Sequence, residues 1–487
     1  MQWETEQKFW KQTEQLNANF HSCFKSWMRN ELDTLPSSDS LRSENKALNI
    51  PFSQSPFIAQ PLLRSVFAHD ASNDTSIFIR GIGASASYVV PGKFAANLNW
   101  YTENAPQLSY VGNLADSLRA YPGLDYATPT QEGISSTRVG GCLSWYPHRF
   151  FHLQAGVGRN FWGDGYRSLL LSDNAGNYPY FRFTTAFWKI KYAVLYSAMK
   201  DIHADPLNRK DFFRKFSTSH FLNWNIGRRV SLGVFESVIW QAKDTMLNRG
   251  FDVHYLNPFV FFRPLEYEQG SSDNVIIGLN LKVKIIDGIS VYSQFLLDEF
   301  LMKEVRADSG WWANKYGYQL GIKFAEPFGM KGFNARMEYN VVRPYTYSHG
   351  SVKQNYGHNN LPLAHPLGAN FKEFVVQASY SFKQFAIDFH MVNYVYGADS
   401  SNASFGGNIY QSYANRTQDY GNTIAQGKKM DVYYHCLRFS WIPVPQWNLR
   451  LFVSHIYRKS TVNAGSNTES YIMGGLSAWI WNSYTDR

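Results

Sequence analysis

The chain has 487 residues, of which 17% are aromatic and 17% charged, with a net charge of +9. A soluble chain would carry about 25% charged residues and divide into about three domains at this length. The positive charge is spread without a dense Lys/Arg run, which argues against nucleic acid as a partner. No apolar run reaches the roughly 18 residues that a membrane-crossing helix needs.

The aromatic load is nonetheless heavy, with 36 Phe, 31 Tyr and 15 Trp beside 35 Gly, at a mean hydropathy of only −0.35. Strands with one greasy face, one polar face and aromatic rims have this composition. The amino-terminal Met1-Gln-Trp-Glu-Thr-Glu lacks the basic start and apolar core of a secretory leader. An outer-membrane barrel must first cross the inner membrane, so the sequence is expected to start near the mature N-terminus.

Residues 1–35 read as a periplasmic helix. Phe9, Leu16, Phe20, Cys23, Phe24, Trp27 and Met28 recur mostly at three- and four-residue steps. Pro36 with Ser37 and Ser38 stops it. Residues 36–72 form a polar connector, with a possible first strand within 56–66. The barrel is expected over 73–487.

From about residue 75 the period is two. Phe94, Ala96, Leu98 and Trp100 alternate with Asn97 and Asn99. Val275, Ile277, Leu279, Leu281, Val283 and Ile285 alternate with Gly278, Asn280, Lys282 and Lys284. Phe333, Ala335, Met337, Tyr339 and Val341 alternate with Asn334, Arg336, Glu338 and Asn340. Phe374, Val376, Ala378, Tyr380 and Phe382 alternate with Glu373, Gln377, Ser379 and Ser381. Runs of about ten residues suit a tilted strand crossing hydrocarbon, whereas sandwich strands usually have five or six.

Tight turns are expected at Pro91-Gly92, Tyr146-Pro147-His148, Phe187-Trp188, Ile226-Gly227, Asp287-Gly288, 327–331, near Lys383, and 443–447. Long segments separate them. Short periplasmic turns alternating with long external loops are the barrel pattern. The count from 75 onward is roughly seventeen strands, and bacterial barrels are even-numbered, so one more is placed in 56–66. The expected fold is an all-β, transmembrane outer-membrane barrel of roughly 18 antiparallel strands, with roughly 16 as the alternative and both termini periplasmic. A lumen of that width needs a plug or carries a channel. The N-terminal helix and segment 241–272 are the expected fillers.

The richest segment is 159–189. Gly163 and Gly165 around Asp164 permit a tight backbone excursion, and Arg167 and Asp173 are expected to pair across it. Asp164, Glu236, Arg263, Glu266, Asp298, Glu299, Arg343, Lys372 and Glu373 form an expected lumen network. Carboxylates that carry no motif knit strands to a plug more often than they catalyse. His349, His358 and His365 match no zinc spacing, and Cys23, Cys142 and Cys436 no disulfide or metal pattern. No Gly-x-Ser-x-Gly elbow, His-Glu-x-x-His helix or Walker loop occurs. The chain is therefore read as non-enzymatic, without cofactor or metal. The Trp residues near strand ends fit interfacial girdles. The loop residues Tyr345, Tyr347, Tyr410 and Tyr413, with Arg167 and Asp173, are the candidate ligand-binding set, because tyrosine rings can stack on sugars.

Segment 160–173, with Tyr178-Pro179-Tyr180, resembles the Wzi-type capsule-assembly family of outer-membrane proteins. It is most similar to the branch associated with gliding motility. Phe235-Glu236-Ser237-Val238, 248–252 with Asn257-Pro258, Asp298-Glu299-Phe300 and 365–373 extend the resemblance over about 160 to 373. It implies a barrel of about eighteen strands with periplasmic helices, and a lectin-like role in binding or anchoring capsular polysaccharide. A structural subunit of a larger outer-membrane secretion, motility or assembly complex is the alternative, and a diffusion pore a third reading. Expected partners are outer-membrane lipid and lipopolysaccharide, surface polysaccharide, and other outer-membrane or periplasmic proteins.

Overall fold

The structure is a computed structural model that describes residues 21–25, 57–90, 92–122, 126–131, 133–202, 212–243, 250–258, 273–400, 403–462 and 465–487. Eighteen antiparallel strands form one closed barrel. They are β1 Phe57–Asp70, β2 Thr75–Val90, β3 Phe94–Ala105, β4 Gly133–His148, β5 Phe151–Gly158, β6 Tyr178–Phe187, β7 Ile190–Asp201, β8 Phe213–Ile226 and β9 Val230–Gln241. They continue as β10 Asn274–Ile286, β11 Ile289–Glu299, β12 Lys315–Ala325, β13 Phe333–Val342, β14 Phe371–Phe382, β15 Phe385–Ala398, β16 Lys428–Val444, β17 Leu449–Val462 and β18 Gly465–Ala478. Each strand pairs with its chain neighbour. The wall closes where β1 meets β18, from Leu63↔Ala478 to Asp70↔Tyr471. Closure satisfies the ladder without leaving an edge, the condition for β-structure in lipid.

The pleat sorts the side chains. On β10, Leu279 and Leu281 point out and are 46% and 38% exposed, while Asn280 and Lys282 point in and are buried. On β13, Met337 and Tyr339 face out, and Arg336, Glu338 and Asn340 are buried inside. On these strands the apolar set is the lipid-side set and the polar set faces the lumen, the reverse of a soluble sandwich.

Turns of two to seven residues join strands at one end, at 91–93, 149–150, 188–189, 227–229, 287–288, 326–332, 383–384 and 445–448. Eight tight turns were expected close to these positions; the one expected at Tyr146-Pro147-His148 lies instead at 149–150, with 146–148 inside β4. Gly288 shows why one of them needs glycine: its φ is +78°, and a Cβ there would sit 2.6 Å from the Ala325 carbonyl oxygen. The long connections gather at the other end. One carries the helix α1, Ser109–Leu118, and another the short helix α2, Met302–Arg306.

The structure has a strand, β1, where one more was expected within 56–66; it runs longer, over Phe57–Asp70, and the 70–75 connection at the long-loop end is a tight one. Two expectations about the lumen fillers change. Of the proposed N-terminal helix only 21–25 is described. It is a turn inside the barrel, where Phe24 bridges Trp162 and the Gly163 amide donates to the Cys23 carbonyl at 2.8 Å. The rest of 1–35 lies outside the described residues.

Segment 241–272 is the second change. Its described stretch 250–258 packs on the outside of the wall. Phe251 and Tyr255 lie against Trp240, 5.4 and 4.7 Å between ring centroids. Trp240, Val238 and Val275 project outward, and with Tyr255 they form a separate buried cluster. The alternation that keeps Phe235 inside places these residues outside, so Phe251 and Tyr255 find their apolar partners there.

Candidate functional site

The lumen is filled by loops from the long-loop end. Residues 159–177 descend into it and bury Trp162, Leu169, Leu170 and Leu171 against Phe221, Phe235, Ile276 and Leu296 of the inner wall. Wall and plug are fitted closely here. Gly278 leaves room for Leu170, whose Cδ2 would be 2.3 Å from a Cβ at that position. Gly163 has φ +146°, and a Cβ on it would meet the Gln294 amide nitrogen at 2.3 Å.

Polar wall residues then satisfy the plug backbone. Glu338 accepts the amides of Tyr166 at 2.7 Å and Arg167 at 3.1 Å. Gln294 accepts the Leu169 amide at 2.8 Å, and Gln319 donates to the Arg167 carbonyl at 3.2 Å. A second loop, 343–370, completes the filling. The Tyr347 and Tyr356 hydroxyls donate to the carbonyls of Leu169 and Leu170, each at 2.7 Å.

Arg167 is fully buried and lies between two carboxylates. Its guanidinium donates to Glu373 at 2.9 and 3.2 Å and to Asp486 at 3.0 Å. His365 contacts the other Glu373 oxygen at 2.6 Å, and His390 contacts Asp486 at 2.6 Å. Burial opposes charging of Asp486, but Arg167 and His390 hold its carboxyl below the usual carboxylate range. Burial pushes His365 down, against the pull of Glu373.

The carboxyl-terminal residues 479–487 are the unexpected component. They turn back from β18 into the lumen and latch the plug. Tyr484 donates to Asp173, and Asn482 donates to its other oxygen at 3.2 Å. Burial works against ionisation of Asp173, yet Arg159 and the Tyr484 hydroxyl help hold its pKa below the ordinary value.

The expected Arg167–Asp173 pair is therefore replaced: Arg167 takes Glu373 and Asp486. The reason is distance along the lumen. The strands and the tail bring carboxylates to the arginine from 206 and 319 residues away.

The remaining candidates scatter. Asp164 is buried in the lumen, with Ser22 and Asn280 donating to it at 2.5 and 2.9 Å. Asp298 and Glu299 share Lys315, at 3.5 and 3.3 Å, near the long-loop end. Arg343 donates to the Trp311 carbonyl at 3.3 Å. Lys372 is exposed on the outer face, and Glu236 is buried on that same face rather than in the lumen. Arg263 and Glu266 lie outside the described residues.

Tyr345 and Tyr347 are wholly buried posts, the first donating to the Ser404 carbonyl at 2.9 Å. Their rings are not on the loop surface. Tyr413 is half-buried, with its ring 4.7 Å from Trp312 and the Lys315 ammonium 4.8 Å away.

Tyr410 lines a cavity of about 880 Å3 that opens among the long loops. Helix α1 forms one side. It is held by the Tyr471 hydroxyl at Ser109 and by Asn360, which donates to the Leu118 carbonyl at 2.8 Å. Tyr110, Tyr394, Tyr396, Arg458 and Arg487 complete the main lining. Arg458 is paired with Glu469 at 3.2 Å and lies 4.9 Å over the Tyr110 ring. Burial lowers the Arg487 guanidinium to about 10.

Sequence reasoning missed Asp486, His390, Arg458 and Arg487. Inward parity on β15 and β17 is the signal that marks His390 and Arg458. Nothing local marks the tail. Among the described residues no group of three or more His, Cys, Asp or Glu is placed to hold a metal ion.

By sequence, the chain matches no family model and no curated protein. Its fold is similar to that of solved outer-membrane barrels. One is Wzi, described as an outer-membrane protein involved in group 1 capsule assembly in Escherichia coli and as a carbohydrate-binding β-barrel. It aligns over 98% of both chains with a TM-score of 0.63 at 13% identity. OprD of Pseudomonas aeruginosa aligns over 86% of this chain and 94% of its own, with a TM-score of 0.42 at 10% identity. OpdK of the same organism, solved with vanillate, aligns over 88% and 99%, with a TM-score of 0.45 at 10% identity. The chain thus has the fold of an outer-membrane β-barrel.

Proposed function

We propose that this protein is a non-enzymatic outer-membrane barrel that binds or anchors surface polysaccharide at its long-loop end. That end faces the exterior, and the short-turn end, with both termini of the wall, faces the periplasm. The observation that carries this reading is the cavity of about 880 Å3 above a filled lumen. Its volume lies within the usual range for ligand sites. It offers tyrosine faces for the C–H surface of sugar rings and arginines for carboxylates or hydroxyls. Of the expected ligand-binding set, Tyr410 is the residue that lines it. Overlap with the Wzi barrel along the whole chain supports the reading without naming the glycan.

The test is polysaccharide retention in a deletion strain complemented with the wild type or with a Tyr410→Ala, Arg458→Gln double variant. Polymer that is made but shed, with rescue by the wild type alone, is the expected result. Unchanged retention in the deletion strain overturns the reading.

A further inference from the structure

A second cavity, of about 410 Å3, lies at the opposite, short-turn mouth of the lumen. The wall makes room for it. The inward positions of β2 and β3 that line it include Ser87 and Ala95, whose short side chains leave space at this mouth. The plug and the tail form its roof. Among the described residues of the lining, Lys25, Arg138 and Arg159 contribute cations and Asp173 a carboxylate.

These cations are held in place. Arg138 lies 4.1 Å over the Trp481 ring and donates to Asn177 at 3.1 Å. Lys25 lies 4.2 Å over Phe161 and donates to the Gly165 carbonyl. Arg159 donates to the Asp173 carbonyl at 2.5 Å and is half-buried. Asn97, Asn99 and Gln154 supply amides, and Tyr146, Tyr180 and Trp481 supply rings. Cations, amides and aromatic faces together suit an anion carried on a sugar ring, for which the rings stack and the arginines take the charge.

We infer that the short-turn mouth holds a second ligand site, for an acidic saccharide, separated by the plug from the cavity among the long loops. Only the compartment that supplies the ligand depends on the orientation proposed above; the site itself does not depend on the outer cavity binding glycan.

Cys142 makes the test direct, because its half-buried thiol lines this cavity. The full chain carrying Cys23→Ser and Cys436→Ser, purified in mild detergent, is labelled with a thiol reagent in the presence of galacturonate, galactose or inorganic phosphate. Galacturonate is expected to slow labelling about tenfold at about ten times its Kd, and galactose to do so far less. The protection should be lost in Arg159→Gln and unchanged in Tyr410→Ala. Protection by phosphate equal to that by galacturonate would overturn the saccharide class. Equal protection by galactose, or none by galacturonate in folded protein, would overturn the site. A filling variant, Ser87→Trp, is expected to protect Cys142 without ligand. Folding of every variant is read from its faster migration before boiling.

Discussion

Arg167 Nη2 lies 2.9 Å from Glu373 Oε1 and 3.0 Å from Asp486 Oδ2. One guanidinium thereby joins the plug to the wall and to the carboxyl-terminal tail. All three groups are almost completely excluded from solvent. Replacing both partners of such a contact with apolar groups can be neutral, but removing one partner strands the other charge.

Arg167→Ala is therefore expected to cost about 3–5 kcal/mol. It should lower the temperature at which the fast-migrating folded band converts to the slow one. Asp486→Asn should cost less, since Glu373 remains to neutralise the arginine. The double variant should be less destabilised than the sum, because the two residues share one contact. Additive losses would show that Asp486 acts elsewhere.

Acid should loosen the latch. Asp173 and Asp486 have folded pKa values below their ordinary ones, so the native state binds fewer protons than the unfolded state. Their contribution is complete above the unfolded value of about 3.9 and is lost as pH falls toward the folded values. His365 is also held down, and its share begins to fade below about 6.5. Protease cutting within 479–487 should rise as pH falls from neutral to about 3. A flat profile would contradict this assignment.

The plug should also close the barrel. Purified wild type is expected to give no stepwise conductance in planar bilayers, whereas deletion of 163–172 should open a pore. An 18-strand wall is wide enough for an aqueous channel once emptied. Steps from the intact chain as large as those from the deletion would show that the loops do not obstruct the lumen.

Gly163→Val should disturb the plug. The valine must adopt φ +146° and displace the Gln294 side chain. Strain of this kind costs about 1–3 kcal/mol before the steric clash is added. The folded band should persist to a lower temperature, and a Gln294→Ala background should relieve only the steric part.

Much of the wall was legible from local order. Leu279 and Leu281 beside Asn280 and Lys282 define two faces whatever the partner strand is, because the pleat has period two. Asp287-Gly288 marks a turn because the backbone there needs positive φ. Alternating short and long connections then set the strand count, and parity called for the strand that is now β1. The network was less legible. Glu338 and Glu373 stand on the inward faces that alternation assigns, but which groups they meet depends on loops that approach from hundreds of residues away.

The sequence by itself determined a closed, aromatic-rimmed barrel, because side-chain period and turn chemistry are local properties. Tertiary structure alone decided what fills it. Segment 250–258 goes outside, because Phe251 and Tyr255 find Trp240, Val238 and Val275 there. Segment 159–177 and the tail go inside, because Arg167 requires buried carboxylates, and Glu373 on the inward face of β14, together with Asp486, provides them. Pairing of buried charges is a long-range condition, settled only when the wall has closed and the loops have entered it.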